Sequence, residues 1–437
     1  MSGNRLLVSV GGHLAGQLVR GGNPASSASA DFTYIYDSHV AADMAVSLIM
    51  PVDQAVYANS HNTHIHSVFE MNLPEGRLRE ELRLKFSKAF SVYDDLTLLG
   101  LVGGTTIGRL RYAREENSAA LAQSPPPCNL TEIMTYNGTE NLLSYLMDRY
   151  AMYSGVAGVQ PKVLVQDKGS SKLSIDAQKR LSAKDSTHIV KAWDDDFPGL
   201  AANEFFCMQA AEKSGLVTPT IQLADNGKFL AVERFDLNKE TGEYCGFEDF
   251  CALSDFPSAK KYAGSYERLA KGLSVFLEGE ALLSARRKFF KMIVLNCMVR
   301  NGDAHLKNFG ILYDSPAIEH RTLAPVFDIV TTTVYIPTDS TALTMNGTKR
   351  WPDGKMLAEF GAHRCHLSPK ETSQITEQVA DAINDTGRPL REYAEAHPEF
   401  QQTGMQMLNV WEQGINQTRQ CPLSIPSPPG RGWPKAG

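Results

Sequence analysis

A chain of 437 residues with 43% hydrophobic and 21% charged content can hold two or three domains with sizeable cores, and its make-up is that of an ordinary globular protein. A net charge of −6 argues against a protein that wraps nucleic acid by itself, because phosphate binding needs a basic face; a local basic patch or a DNA-binding partner stays open. Seven dispersed cysteines without a CxxC pair, no secretory apolar core near the N-terminus, and a longest apolar run (around Phe289 to Val299) far short of a membrane span lead us to expect a cytoplasmic protein with no membrane partner.

The first part of the chain reads as β-rich. RLLVSV and QLVRG flank Gly11-Gly12, and FTYIYD is a third strand candidate. Pro74 and Glu75 open a helix over PEGRLREELRLKFSKAF, where Leu78, Leu82 and Phe86 recur at helical spacing. Residues 96–113, LTLLGLVGGTTIGRLRYA, carry two glycine pauses and read as a loop leading into a strand. Residues 114–130 turn polar and then triple-proline, the composition of a linker. A helix NLLSYLMDRY capped by Thr139 follows, then a glycine-bearing turn in SGVAGVQPK and a hairpin from KVLV onward. HIVKAW predicts a short strand, ANEFFCMQAAEKSG a helix closed by Gly215, and IQLADNGKFLAVERFDL a hairpin about Asn226-Gly227. From about residue 250 the pattern is mainly helical, and the proline- and glycine-rich end is expected to be disordered. The expected units are a β-rich leading part over 1–113, the linker 114–130, a mixed lobe over 131–249, a helical lobe over 250–418 and a tail over 419–437.

Chemistry concentrates in NGDAHLKNFG, residues 301–310, directly after the apolar run KFFKMIVLNCMV. Gly302 is expected to end the preceding helix in the left-handed conformation. Four residues separate Asp303 from Asn308, the spacing by which a kinase loop sets an Asp near the attacking hydroxyl and an Asn on a metal ion. The Asp orients or accepts the hydroxyl proton, and the Asn carbonyl is a hard oxygen ligand suited to Mg²⁺. His305 can brace the loop and Lys307 can neutralise charge on a transferring phosphoryl group. A polar helix-to-strand connection explains an isolated match of this kind equally well. Asp328 in APVFDIVTT is either a strand-end cap or a second carboxylate for the metal. The turn Ser154-Gly155-Val156-Ala157-Gly158 either lets backbone N–H groups approach phosphate oxygens or is structural. Lys191, inside an apolar strand, needs a partner; Glu204 in the next helix can supply it and aim the ammonium at the α- and β-phosphates, unless the two are a plain surface pair. The backbone from Glu233 to Phe235 can face an adenine edge, though a strand end needs no ligand to explain it. Each element alone is weak, but their linear order is that of a two-lobed kinase.

On SGVAGVQPK, THIVK, NEFFCMQAAEKSGL, LAVERFD, KKYAGSYE, NGDAHLKNFG and PVFDIV, the chain resembles the HipA family of toxin kinases along nearly its full length. SLIMPVDQAV, VFEMNLPEG and LLGLVGGTTIGRL extend the resemblance into the leading part. It implies an α+β, two-lobed protein-kinase-like fold with an added N-terminal β-rich subdomain and a mainly helical C-terminal lobe. It implies an ATP- and Mg²⁺-dependent serine/threonine kinase that is the toxin of a toxin–antitoxin pair. The implied partners are a HipB-like helix-turn-helix antitoxin, operator DNA met mainly through that antitoxin, and a protein substrate such as an aminoacyl-tRNA synthetase, notably the glutamyl enzyme. By position, Asp303 would be the catalytic Asp, with His305 and Lys307 beside it, and Asn308 and Asp328 the Mg²⁺ ligands. Lys191, paired with Glu204, would bind phosphate. Residues 154–162, with Ser154, Gly155, Val156, Ala157, Gly158 and Lys162, would form the phosphate loop, and Glu233 and Phe235 would lie along the adenine. Family members carry an autophosphorylated serine just before V-A-G, where this chain has Gly155 and sets Ser154 one residue earlier, so self-inactivation there is in question. Ser154 reads equally as a turn residue.

His61, His64 and His66 lie close together, but no cysteine or carboxylate pattern supports zinc there, and a polar loop explains them. A small-molecule kinase of the aminoglycoside-phosphotransferase type shares the D-x-H-x-x-N loop and a later Asp; the β-rich leading part and AVERFD fit HipA better. A non-catalytic corepressor with a DNA-binding partner would not need Lys191, Asp303, Asn308 and Asp328 together.

Overall fold

The computed structural model describes residues 4–21, 32–59, 64–90, 92–114, 129–136, 142–157, 160, 162–167, 187–192, 197–318 and 320–419. In the leading part, β1 (Arg5–Val10) and β2 (His13–Arg20) alternate buried and outward residues, so Leu6, Val8 and Val10 face a core. Gly11 and Gly12 join them at φ 55° and 86°, and two successive positive φ values suit the twist of a tight hairpin. With β3 (Phe32–Tyr36), β4 (Val56–Asn59) and β5 (Leu110–Ala113) they form an antiparallel sheet of order β4-β3-β2-β1-β5.

Helices α1 (Ser67–Glu70), α2 (Gly76–Phe86) and α3 (Asp95–Val102) belong to this part. The helix over Asp95–Val102 corrects the loop expected from residue 96. Asp94 caps it by accepting a hydrogen bond from the Thr97 backbone N–H. Leu96, Leu98, Leu99 and Val102 are all buried, so the segment has no polar face and therefore no amphipathic period to read.

The middle part carries α4 (Leu130–Met134), α5 (Leu142–Tyr150) and a second antiparallel sheet. Its strands β6 (Lys162–Val165), β7 (His188–Ala192), β8 (Ile221–Leu223) and β9 (Phe229–Glu233) run in the order β6-β7-β9-β8. Helix α6 (Leu200–Lys213) closes at Gly215, φ 80°, as its sequence anticipates. Gly158, the Thr139 cap, the strand expected after Val165, His61 and the end of the chain beyond Arg419 lie outside the described residues. One apolar cluster joins Leu6, Val8 and Val10 of the first sheet to Val163, Val190 and Ala231 of the second. The two sheets thus share a core.

The last part holds a three-stranded sheet, β10 (Gly246–Asp249), β11 (Gly310–Tyr313) and β12 (Arg321–Leu323), and the helices α7 (Tyr266–Phe276), α8 (Gly279–Met298), α9 (Gly354–Arg364), α10 (Pro369–Ala396) and α11 (Pro398–Arg419). Ser368 and Glu371 close a reciprocal capping box at the start of α10. Helix α8 buries Phe289, Phe290, Ile293 and Leu295 and delivers the chain to NGDAHLKNFG. Its end differs from expectation: Arg300, not Gly302, takes the left-handed conformation, φ 58°. The Asn301 backbone N–H reaches back to the Asn296 carbonyl at 2.9 Å, and the Asn301 side chain donates to the Asn296 side chain at 2.7 Å. These two bonds fix the reversal without a glycine. Gly302 answers a different need, since a Cβ there would lie 2.0 Å from Asp339 Oδ2. Among the described residues no helix is long and apolar enough to cross a membrane.

Candidate active site

Between the four-stranded sheet and the helical part lies a cavity of about 710 Å³, lined by Lys162 and Lys191 with Asp328 against them, and by Asp303 and Asn308 opposite. Strand β7 points Lys191 into it. The ammonium donates to Glu204 Oε1 of α6 and to Asp328 Oδ1, each at 2.6 Å. Burial alone would push the Lys191 pKa down, but the carboxylates of Asp328 and Glu204 outweigh it and hold it above its usual value. Burial likewise works against the Asp328 carboxylate, and Lys191 with Lys162 more than reverses that, so Asp328 stays ionised far into acid. Asp328 sits at φ 61°, an uncommon left-handed position for an aspartate. Lys162 donates to the Ala157 carbonyl at 3.2 Å; burial lowers its pKa, with Asp328 opposing.

The loop after α8 supplies the opposite wall. The Asp303 backbone N–H is held by Asn301 Oδ1 at 3.1 Å, and its Oδ1 accepts from the Tyr262 hydroxyl at 2.5 Å. Burial raises the Asp303 pKa; the Tyr262 hydrogen bond opposes this and the nearby Asp328 charge adds to it. His305 Nε2 lies 3.8 Å from Asp303 Oδ1. Burial, reinforced by Lys261, pushes the imidazole down to about 3, so it is neutral at physiological pH. The Asn308 amide nitrogen donates to the Asp303 carbonyl at 3.0 Å and approaches that of Asp328 at 3.5 Å, so the amide oxygen is the atom of this side chain with the chemistry to take a cation.

Lys307 lines the same cavity but is committed elsewhere. Its ammonium donates to the Glu75 carboxylate and to Ser258 Oγ, the latter at 3.2 Å. Glu75 also lies 3.7 Å from Lys261 Nζ. The leading subdomain thus reaches into the cavity through Glu75, just before α2. The sequence marks Glu75 as a helix opener and gives Lys261 no role of its own, although both fall in stretches that carry the family resemblance, VFEMNLPEG and KKYAGSYE.

Ser154 and Gly155 face away from the cavity. Ser154 Oγ donates to the Tyr150 carbonyl and accepts from the Leu164 backbone N–H, both at 2.8 Å, and the side chain is fully buried. The Gly155 N–H donates to the Thr105 carbonyl at 3.1 Å, and a Cβ there would sit 2.7 Å from Thr106 Cγ2. Val156 and Ala157 do line the cavity. Along the end of β9, the Phe235 ring stacks on Phe327, centroids 5.3 Å apart at 25°, with Phe247 edge-on, while Glu233 is held by Lys239 at 2.7 Å. Between them the buried Arg234 pairs with Asp236, Nε to Oδ1 at 3.0 Å. Asp236 also accepts from the Gly108 N–H at 2.6 Å, and Arg234 Nη2 donates to the Thr106 carbonyl at 3.0 Å, so this strand end is tied to the leading subdomain. In sequence the two charges of AVERFD follow a strand end and carry no sign of this burial.

Among the described residues no group of three or more His, Cys, Asp or Glu is placed to hold a metal ion. His66 of the histidine-rich stretch is buried with its ring edge-on to Phe69 instead. The donor set Asp328 plus Asn308 suits Mg²⁺, which takes one or two protein oxygens and fills its remaining positions with phosphate and water.

A strand lysine paired with a helix glutamate, an interlobe cavity and an Asp–Asn–Asp set across it define a kinase-like architecture of mixed α and β structure. Residues 6–113 match the HipA N-terminal domain and residues 154–386 the HipA-like C-terminal domain. The chain belongs to the HipA family. It is 31% identical over 337 residues to the Sinorhizobium fredii protein named "Putative kinase Y4mE", covering 73% of this chain and 76% of that one. A second protein of that organism, "Putative kinase Y4dM", is 28% identical over 359 residues, 77% of this chain and 78% of its own. Among solved structures, the fold matches a chain of the Shewanella oneidensis MR-1 toxin–antitoxin complex of HipA, HipB and operator DNA, with a TM-score of 0.66 at 20% identity, over 95% of this chain and 99% of that one.

Proposed function

We propose that this protein is an ATP-dependent serine/threonine protein kinase and the toxin of a HipA/HipB-like pair. The observation that carries the proposal is the Lys191–Glu204–Asp328 triangle, with both bonds at 2.6 Å, facing Asp303 and Asn308 across one cavity. In this reading Lys191 turns from Asp328 toward the nucleotide phosphates while Glu204 keeps it aimed. Asp328 and Asn308 hold Mg²⁺, which when bound neutralises charge on the phosphate oxygens. The aromatic wall of Phe235 and Phe327 receives the adenine. Asp303 orients the acceptor hydroxyl and takes its proton, helped by a neutral His305 that adds no competing positive charge. Lys307 acts at one remove, by holding the catalytic loop against Glu75.

The net charge of −6 supports operator contact made mainly through a small helix-turn-helix antitoxin, as does the composition of the solved complex that the fold matches. The family supports a protein substrate in the translation machinery, such as an aminoacyl-tRNA synthetase, in the cytoplasm. The test is phosphoryl transfer from labelled ATP with Mg²⁺ to bacterial lysate proteins by wild type and Asp303→Asn. A labelled band of synthetase size that fades by about 10²-fold or more in the variant is the expected result. Intact ATP binding with no protein labelled by either form would overturn the protein-kinase reading.

A further inference from the structure

The stretch 258–264 crosses the catalytic loop as a strap. The Leu306 backbone N–H donates to the Lys261 carbonyl at 3.1 Å, Lys307 donates to Ser258 Oγ at 3.2 Å, and the Thr344 N–H donates to the Gly264 carbonyl at 3.3 Å. Gly264 makes the turn out of the strap at φ 137°, a conformation that side chains resist. Between these anchors Tyr262 lies edge-on to the His305 ring, centroids 5.1 Å apart, with the Lys261 ammonium 5.3 Å from its ring centroid. Its hydroxyl is carried by a segment bound to the same loop that bears Asp303, and it ends 2.5 Å from Asp303 Oδ1. A hydroxyl donating to the catalytic carboxylate is what an acceptor serine or threonine must also do. Tyr262 fills that role in the resting protein.

We propose that Tyr262 is an acceptor-site guard: its hydroxyl occupies Oδ1 of Asp303 until a protein hydroxyl displaces it, and so denies that oxygen to water. This inference rests on the kinase function proposed above. The reaction it suppresses is hydrolysis. The oxygen of a water bonds to the γ-phosphorus, the bond from that phosphorus to the bridging oxygen of ADP breaks with its electron pair leaving on ADP, and the water proton passes through Asp303 to solvent, giving ADP and inorganic phosphate. A kinase that holds an oriented carboxylate beside ATP has this leak built in, because water is always present and needs no docking. Tyr262 closes it at little cost to transfer, since the side chain is 43% exposed and can swing aside.

The test is phosphate release from Mg-ATP by the full chain without any acceptor, for wild type, Tyr262→Phe, Asp303→Asn and the double variant, with thermal unfolding midpoints alongside. Tyr262→Phe is expected to release phosphate several-fold faster than wild type at an unchanged midpoint, the gain vanishing in the double variant. With lysate acceptors present, the share of phosphoryl groups lost to water rises in Tyr262→Phe. A loss of packing alone would lower activity and not raise it, so a gain separates the guard from a structural tyrosine. Release by Tyr262→Phe at or below the wild-type rate, while it still labels acceptor protein, would overturn the guard and leave the kinase intact. ATP consumed by none of the four chains, with or without acceptor, would overturn the kinase reading and the guard with it.

Discussion

Lys191 stands between two carboxylates, and removing it takes from both the cation they are bonded to. Glu204 is 1% exposed and its second oxygen, Oε2, has no partner, so Lys191→Met leaves a buried charge without its counter-ion. Breaking a buried pair in this way costs roughly 3–5 kcal/mol, toward the lower end here because the Asp328 side chain stays 30% exposed. The expected result is a lower denaturant midpoint together with lost nucleotide binding, and Lys191→Met combined with Glu204→Gln should recover part of the stability and none of the binding. Asp303 makes a second prediction. Its pKa is raised above the ordinary 3.8, chiefly by burial, and the carboxylate must be ionised to take a proton. Activity should therefore fall as pH drops, through a midpoint above 3.8, whereas Asp328, held low, contributes no loss in that window. A kcat/KM profile with its acid limb at or below 3.8 would place the proton elsewhere. The Lys191–Glu204 pair was legible in the sequence because a lysine inside an apolar strand demands a partner and a helix follows. Glu75 was not: it lies 232 residues from Lys307, and no spacing rule connects them.

Gly155 shows what an element needs from its neighbour. The backbone of residues 105–106 runs so close that a Cβ at 155 would meet Thr106 Cγ2 at 2.7 Å and the Thr105 carbonyl at 3.1 Å. Gly155→Ser should cost about 1–3 kcal/mol through overpacking, seen as a lower unfolding midpoint. The serine would also be shut in rather than presented to a nucleotide, so unchanged stability with phosphate appearing on residue 155 would contradict the packing described. Periodicity located the strands and helices that have one buried face, such as β1 and α2. It failed for α3, which is buried nearly all round, and turn propensity misassigned the end of α8, where one backbone and one side-chain bond between Asn296 and Asn301 do what glycine was expected to do.

At the scale of the molecule, the leading subdomain is part of the cavity wall and not an appendage. Its sheet shares a core with β6, β7 and β9, Glu75 pairs with Lys307 of the loop after α8, and the end of β9 is bonded to residues 106 and 108. A chain of residues 129–419 alone should therefore expose the apolar face of the four-stranded sheet and be found aggregated or inactive; a soluble, ATP-binding product would refute this. Composition suggested a break at 114–130, and the linear order of site residues gave the two-lobed layout. Neither could reveal a core that runs across the break, because contacts of that range leave no local pattern.

Two tryptophans among the described residues bracket the segment that follows Asp328. Trp411 Nε1 donates to Thr331 Oγ1 at 2.8 Å, and Trp351 Nε1 donates to the Asp339 carbonyl at 3.1 Å with the Arg300 guanidinium 5.0 Å from its ring centroid. An indole N–H bond and a cation over an indole ring both alter its excited state. The protein therefore carries its own optical gauge, and Mg-ATP, by drawing Asp328 away from Lys191, should register as a change in tryptophan emission that needs no dye, label or acceptor protein.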